Sequence, residues 1–196
     1  MLAYFLACST ADVEPVVGAA PVTTAPEPPP AAEPEIPTPI VMAARQYMGR
    51  PYRFGGRGAQ LDCMGLVFLA WADATGGNWR KLSVNPTRIV ARRQLGPAVE
   101  SLAGVPTERI DWDLLKPGDV IFLLGPTQNP AEPAIATVDG VPEWVWHMGL
   151  YSGGAERRFV VGDHFHGRVS ELALPAYLTR YADWYDAIFV TRPAAR

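Results

Sequence analysis

The hydrophobic pattern of this chain changes period once, and that change constrains the fold more than any other feature. Before residue 116, apolar residues recur at helical spacing over residues 40–48 and again over residues 64–74. After the turn signal Lys116-Pro117-Gly118-Asp119, the apolar runs are short, as in buried strands. Helices followed by strands predict an α+β fold with N-terminal helices and an antiparallel sheet.

Glycines and turn residues place the ends of these predicted elements. The first helix should end at Gly49 and the second at Gly76-Gly77, because glycine readily adopts the left-handed conformation that terminates helices. A third helix is predicted within residues 87–103. Ser152-Gly153-Gly154-Ala155 predicts a hairpin turn. The predicted strands are 120–124, 144–151, 158–161 and 187–191.

Residues 9–38 are predicted to form a disordered linker. Nine prolines lie between Pro15 and Pro39, among alanine, glutamate, threonine and valine. Proline lacks a backbone N–H and fixes φ, so such a stretch favours extended, semi-rigid conformers and builds no core. Residues 39–196 are then predicted to form a single folded domain.

Residues 1–8 are apolar and end in Ala7-Cys8, which looks like the end of a bacterial lipoprotein signal. In such signals the cysteine is lipidated after cleavage, so Cys8 is the expected lipid attachment site and the linker a tether in the cell envelope. The segment lacks a basic region and is short, and an ordinary apolar terminus is the alternative. No apolar run of about 18 residues exists, so membrane contact is expected only through this anchor.

Charge and composition exclude some classes of function. The net charge of −3 gives no electrostatic argument for nucleic acid binding. Hydrophobic residues make up 48% of the chain, which is enough for a sizeable core in a monomer. No residue pattern calls for a metal or an organic cofactor.

Cys63 follows a glycine-rich loop and stands at the start of an apolar run that is predicted to be a helix. A cysteine at such a position is a candidate nucleophile. A helix N-terminus offers unpaired N–H groups and a partial positive charge. Both favour the reactive thiolate, so the pKa of Cys63 is expected to fall. The same N–H groups could hold a developing oxyanion.

A cysteine nucleophile needs a base, and His147 is the candidate. The three histidines His147, His164 and His166 all lie in one late stretch, and His147 falls within an otherwise apolar predicted strand. A packed core histidine is the alternative interpretation.

The residue that orients His147 should lie on the neighbouring strand, near residues 162 to 164. Gly162 has no side chain, whereas Asp163 and His164 could each fix the imidazole tautomer. A bulge or a one-residue change in the turn would exchange the two. We favour His164, with Asp163 as the alternative. For Asp163 and His166, the other interpretation is a solvated turn.

Four blocks of the sequence together resemble the NlpC-type papain-like cysteine peptidases over residues 40–192. The blocks are Tyr52-Arg53-Phe54-Gly55-Gly56, Asp62-Cys63-Met64-Gly65-Leu66-Val67, Leu115-Lys116-Pro117-Gly118-Asp119-Val120 and His147-Met148-Gly149-Leu150-Tyr151. The resemblance implies a papain-like fold in which the nucleophile helix packs on a central antiparallel sheet.

The resemblance also implies roles for individual residues. Cys63 is implied to be the nucleophile and His147 the general base, and the family's usual third histidine supports His164. Tyr52 matches a substrate-binding tyrosine and Asp62 an acidic residue that meets a substrate ammonium group. Their alternatives are core packing for Tyr52 and a helix N-cap for Asp62.

The implied function is a peptidoglycan endopeptidase of the cell envelope that cuts stem peptides between γ-D-Glu and a diamino acid. Met64 departs from the family pattern, which usually has serine there, and the segment 125–143 could form one wall of the cleft. Alternatives are an amidase or an acyl- or peptidyl-transferase with the same Cys-His pair, or a non-catalytic wall-binding module.

Overall fold

The structure is a computed structural model, and it describes residues 38–194. The predictions for Cys8, for residues 1–8 and for nearly all of the linker therefore lie outside the described residues. The helices are α1 (Pro39–Arg45), α2 (Cys63–Thr75), α3 (Pro86–Ala91) and α4 (Leu174–Arg180). The strands are β1 (Ala98–Pro106), β2 (Val120–Gly125), β3 (Ala136–Val138), β4 (Val141–Gly153), β5 (Arg158–Asp163), β6 (Arg168–Ala173) and β7 (Ala187–Thr191).

The strands form one sheet, in which every pair is antiparallel. The order is β1-β7-β2-β4-β5-β6, and β3 pairs with the start of β4. Strand β2 lies inside this order and is buried at every residue, because it is paired on both edges and covered on both faces. The predicted α+β fold with an antiparallel sheet is confirmed.

Alternation along the strands divides the core into two layers, one on each face of the sheet. On one face, Phe122 and Met148 pack in the same cluster as the apolar side of α1 and α2. On the other face, Leu123 and Val161 pack with residues of α4. Helix α2 therefore lies on the central strands, which is the packing predicted for the nucleophile helix. No helix within residues 38–194 has the length and hydropathy needed to span a membrane.

The prediction of a third helix within residues 87–103 is right for the start of that range and wrong for the rest. Helix α3 stops at Ala91, and residues from Ala98 onward form β1, which pairs with β7 at the sheet edge. Gly96 has φ +92° and Pro97 has no N–H to donate, so the chain breaks between the two elements. The helical spacing of the apolar residues misled the prediction, because β1 gains its hydrogen bonds only from the distant β7. Strand β6 and helix α4 were also not predicted.

Asp119 holds the turn before β2 and ties it to the end of the chain. Its carboxylate accepts the Lys116 N–H at 2.9 Å and pairs with Arg192, whose Nε lies 2.7 Å from Oδ1. Arg192 follows β7, so this ion pair joins the turn to the strand next to β2.

Candidate active site

Cys63 is the first residue of α2, and Asp62 caps that helix. Asp62 Oδ1 accepts the Gly65 N–H at 2.6 Å, and Oδ2 accepts the Gly55 N–H at 2.8 Å. Arg57 completes the group with an ion pair of 2.5 Å to Oδ1. One buried carboxylate thereby joins the glycine-rich loop to the first turn of the helix. Both carboxylate oxygens of Asp62 therefore already have partners within the chain, as expected if Asp62 acts as a helix N-cap.

The N-terminus of α2 abuts strand β5 at a position that only glycine can occupy. A Cβ atom on Gly162 would lie 2.8 Å from the backbone C and O of Asp62 and 3.0 Å from the Cys63 nitrogen. Because these neighbouring atoms belong to the backbone, moving them aside would cost considerable free energy. The residue without a side chain therefore sets how closely Cys63 approaches the sheet.

The backbone N–H groups of Met64 and Met148 lie near the Cys63 sulfur and act to lower the pKa of the thiol. Met148 directly follows His147 in β4, so the structure brings the cysteine to the strand that carries the histidine. Burial, and then the Asp62 carboxylate, raise the pKa of the thiol to about 12. The two N–H groups and Arg57 oppose that rise without cancelling it. The expected fall in the pKa of Cys63 is therefore wrong, because desolvation outweighs the helix N-terminus.

His147 is only 2% exposed, and its Nε2 atom has no hydrogen-bond partner among the described residues. Its ring lies nearly parallel to those of Tyr177 and Tyr185, with centroids 6.3 and 6.1 Å away. Burial and the neighbouring His164 lower the pKa of His147 to about 3, although Asp163 and Asp62 act in the opposite direction. Both shifts favour the uncharged form, a thiol at Cys63 and a neutral imidazole at His147.

Asp163 is the last residue of β5 and lies near His147. The pairing of β4 with β5 extends only as far as Gly149 and Val161, and beyond it the charge of the Asp163 carboxylate opposes the fall in the pKa of His147. Asp163 is fully buried, and its carboxylate accepts the Phe165 N–H at 2.9 Å and pairs with Nδ1 of His166. The Asp163 and His166 pair is thus an ordered feature of the turn.

His164 lies just beyond β5 in the turn, yet its ring reaches the histidine of the neighbouring strand. The two ring centroids are 5.5 Å apart, and the planes are nearly perpendicular at 84°. Burial lowers the pKa of His164, with Asp163 acting in the opposite direction. Both predicted orienters therefore lie near His147, Asp163 from the end of β5 and His164 through its ring.

Tyr52 borders the same site from the glycine-rich loop. Its backbone N–H donates to the Gly167 carbonyl at 2.7 Å, and its ring centroid lies 5.9 Å from that of His164. Burial raises the pKa of its phenol, and the nearby Cys63 raises it further. The predicted residues Tyr52, Asp62, Cys63, His147, Asp163 and His164 thus meet in one region.

Sequence reasoning missed the tyrosines that surround His147. Tyr177 belongs to α4, and Tyr185 precedes β7, so both come from segments far along the chain. Burial raises the pKa of both phenols. The only signal was the density of aromatic residues in 177–185, which does not reveal the strand that they cover.

The site offers no obvious place for a metal ion. Within residues 38–194, no group of three or more His, Cys, Asp or Glu side chains is arranged to bind one. A thiol and an imidazole that both lie near the Asp62 carboxylate are the residue types that nucleophilic chemistry requires.

No protein-family model matches the sequence, and no curated protein matches it. Several solved structures do match. An N-acetylmuramoyl-L-alanine amidase from Bacteroides uniformis is 13% identical with a TM-score of 0.51, and the match covers 79% of this chain and 97% of the amidase. A Bacteroides fragilis protein provisionally described as a xylanase is 14% identical with a TM-score of 0.55, covering 77% and 99% of the two chains.

The solved structures similar to this chain also include NlpC/p60 domains. The NlpC/p60 domain of the peptidoglycan hydrolase SagA is 18% identical with a TM-score of 0.46, and the match covers 78% of this chain and 95% of that domain. At such identities, the amidase and the Bacteroides fragilis protein establish a shared fold. Because their descriptions differ, the fold by itself does not select a reaction.

Proposed function

We propose that this chain is a cysteine hydrolase of the bacterial cell envelope that cleaves amide bonds of peptidoglycan stem peptides. One observation carries the proposal. Gly162 lies against the backbone of Cys63, and the next two residues, Asp163 and His164, lie near His147, which supports a single site that contains both the nucleophile and the base. The fold shared with a muramoyl-alanine amidase and the likeness to NlpC/p60 domains support the same class of substrate.

In the proposed reaction, the Cys63 sulfur attacks the amide carbonyl while its proton passes to His147. Backbone N–H groups at the start of α2 stabilise the tetrahedral oxyanion. His147 then protonates the leaving amine, and an acyl-enzyme remains on Cys63 until water releases it. His164 or Asp163 orients the imidazole, and Tyr52 contacts the substrate.

The bond we propose first is that between γ-D-Glu and a diamino acid. An amidase, or an acyl- or peptidyl-transferase, would use the same pair of residues, because the leaving group and the acceptor are chosen by the walls of the cleft. A non-catalytic wall-binding module is the remaining alternative. In this proposal, a lipid on Cys8 and the proline-rich linker hold the domain at the membrane, facing the wall.

The test is digestion of purified peptidoglycan by the full-length chain, with products identified by mass spectrometry. We expect new muropeptides whose masses name the bond. We also expect Cys63→Ala to slow their formation by about 10⁴-fold or more, since nucleophile loss in hydrolases has effects of that order. His147→Ala should also strongly slow the formation of these muropeptides.

Met42→Ala is the matched control, because Met42 is exposed on α1 away from the site. Its products should equal those of the wild type. Unchanged products from Cys63→Ala would refute the proposed mechanism. A wall-dependent transfer product without hydrolysis would favour the transferase, and binding without any product would favour the wall-binding module.

A further inference from the structure

We infer that three exposed aromatic residues beside the candidate active site form a subsite for a saccharide ring. These residues, Trp146, Phe165 and Trp184, are called the aromatic rim below. The inference rests on the proposed function and deepens it, because it identifies the substrate as a peptide still attached to its glycan.

The three residues of the aromatic rim are large and apolar, yet all of them are exposed to solvent. The exposed fractions of Trp146, Phe165 and Trp184 are 43%, 37% and 61%. Large apolar side chains that cluster at a surface mark interaction sites more often than isolated ones do. With 61% of its surface exposed, the Trp184 indole cannot have both ring faces covered.

The rings of the rim are held in place by defined contacts. Phe165 stacks on Tyr181 with centroids 3.7 Å apart and planes inclined by 6°. The same phenyl ring meets Trp184 edge-on, at 6.3 Å and 77°. The stacked pair therefore braces the indole from one side, and the remaining indole surface faces solvent.

Trp146 and the backbone of Trp184 both lie beside Gly125. The Trp146 Nε1–H donates to the Thr127 carbonyl at 2.9 Å, which fixes both the ring and the loop after β2. A Cβ atom on Gly125 would lie 3.6 Å from Trp146 Cδ1, and it would collide with the Trp184 carbonyl. The absence of a side chain at residue 125 thus lets the two tryptophan residues approach each other.

The rim is continuous with the candidate catalytic residues. Trp146 immediately precedes His147 in β4. On the other side, the Phe165 ring lies 3.7 Å from the His164 ring, which in turn lies 5.5 Å from His147. A ligand on the rim would therefore be next to the base that serves the scissile amide.

A pyranose is the ligand that suits this surface. The C–H groups on one side of a sugar ring are polarised by the adjacent oxygens, and they are attracted to the negative face of an aromatic ring. The hydroxyl and acetamido groups at the ring edge need polar partners. Exposed Thr127, Gln128 and Asp183 supply these at the border of the rim.

The probe for this subsite is a hexamer of β-1,4-linked N-acetylglucosamine, titrated into the full-length chain by calorimetry and tryptophan fluorescence. We expect saturable binding that Trp184→Ala weakens by about tenfold. Trp184→Tyr should retain most of the binding, because it keeps an aromatic face. Met42→Ala removes a comparably exposed apolar side chain elsewhere and should change nothing.

Cleavage supplies the second measurement, with sugar-bearing muropeptides compared with the same peptides stripped of sugar. We expect a higher kcat/KM for the sugar-bearing form, and Trp184→Ala should reduce that preference without affecting the sugar-free peptide. Equal cleavage of both forms and no binding of the hexamer would overturn the saccharide subsite while leaving the proposed hydrolase intact. Hexamer binding that depends on Trp184, with no cleavage of any substrate, would support the subsite and refute the hydrolase.

Discussion

At the scale of single residues, the protonation state of Cys63 and His147 is decided by burial. Two nearby backbone N–H groups and a position at a helix start both act to lower the pKa of Cys63 and so favour the thiolate. Desolvation and the Asp62 carboxylate nevertheless dominate, while desolvation also keeps the His147 imidazole uncharged. Both shifts favour an uncharged pair in the free protein, in which the proton of Cys63 would pass to His147 as the sulfur attacks the substrate.

The raised pKa of Cys63 leads to a prediction about the reactivity of its thiol. In a Cys8→Ser background, iodoacetamide should modify Cys63 slowly at pH 7, because the pKa is raised from 9.0 to about 12. The rate should rise about tenfold per pH unit above neutrality, following the thiolate fraction. Mass spectrometry of the peptide that contains Cys63 measures the rate, with N-acetylcysteine as the reference thiol.

A fast rate that stays constant between pH 5 and 8 would contradict this prediction, since it would reveal a thiolate paired with a protonated imidazole.

The raised pKa of Cys63 also has a consequence for the stability of the folded protein. A thiol whose folded pKa exceeds its unfolded value binds its proton more tightly in the folded state. The contribution of Cys63 to stability should therefore be present below pH 9 and be lost as the pH rises toward about 12.

At the scale of elements, the contact between α2 and β5 positions the nucleophile. Gly162 lies against the backbone of Asp62 and Cys63, and the Asp62 cap ties that same backbone to the glycine-rich loop. A helix start that is capped and pressed against a strand has little freedom to move. The position of Cys63 thus depends on a residue that carries no chemistry.

Gly162→Ala should separate these two elements. The added methyl group would lie 2.8 Å from backbone atoms of Asp62, and overpacking of this kind costs about 1–3 kcal/mol of unfolding free energy. Urea unfolding measures the loss, and peptidoglycan digestion should fall along with it. Gly58→Ala is the control, because a Cβ there meets nothing within 4 Å and its φ is ordinary. Equal stability of the two variants would show that the close contact does not exist.

At the scale of the whole molecule, the Asp119 and Arg192 pair joins the turn before β2 to the residue after β7. Asp119 is buried, and Arg192 also donates to the Leu114 carbonyl at 2.8 Å. Removing the carboxylate would leave a partly buried guanidinium without its partner. We expect this pair to support the central strands, which lie between the two core layers.

Asp119→Ala should lower the free energy of unfolding by about 2–3 kcal/mol, because breaking a buried pair leaves an uncompensated charge. Equilibrium urea unfolding is the measurement. Arg109→Ala removes an exposed pair with Asp139 and should cost less than about 1 kcal/mol. If both variants lost the same small amount, the Asp119 pair would have no special role in the fold.

The sequence by itself determined those features that depend on local interactions. Helix α2 begins at Cys63 because aspartate caps a helix well, and it ends at Gly76 because glycine accepts φ +69°. Strands β2, β4, β5 and β7 were predictable from short apolar runs between turn residues. The resemblance in four separate blocks anticipated that these elements share one fold.

Only the tertiary structure decided features that depend on distant segments. Strand β1 exists because β7 pairs with it, and no local pattern in residues 98–106 shows this. The pairing of β5 with β4, and not composition, brings Asp163 near His147, and a one-residue shift in that pairing would exchange it with His164. The high pKa of Cys63 and the aromatic rim arise from burial and from chain segments brought together, which are properties of three-dimensional packing and not of local sequence.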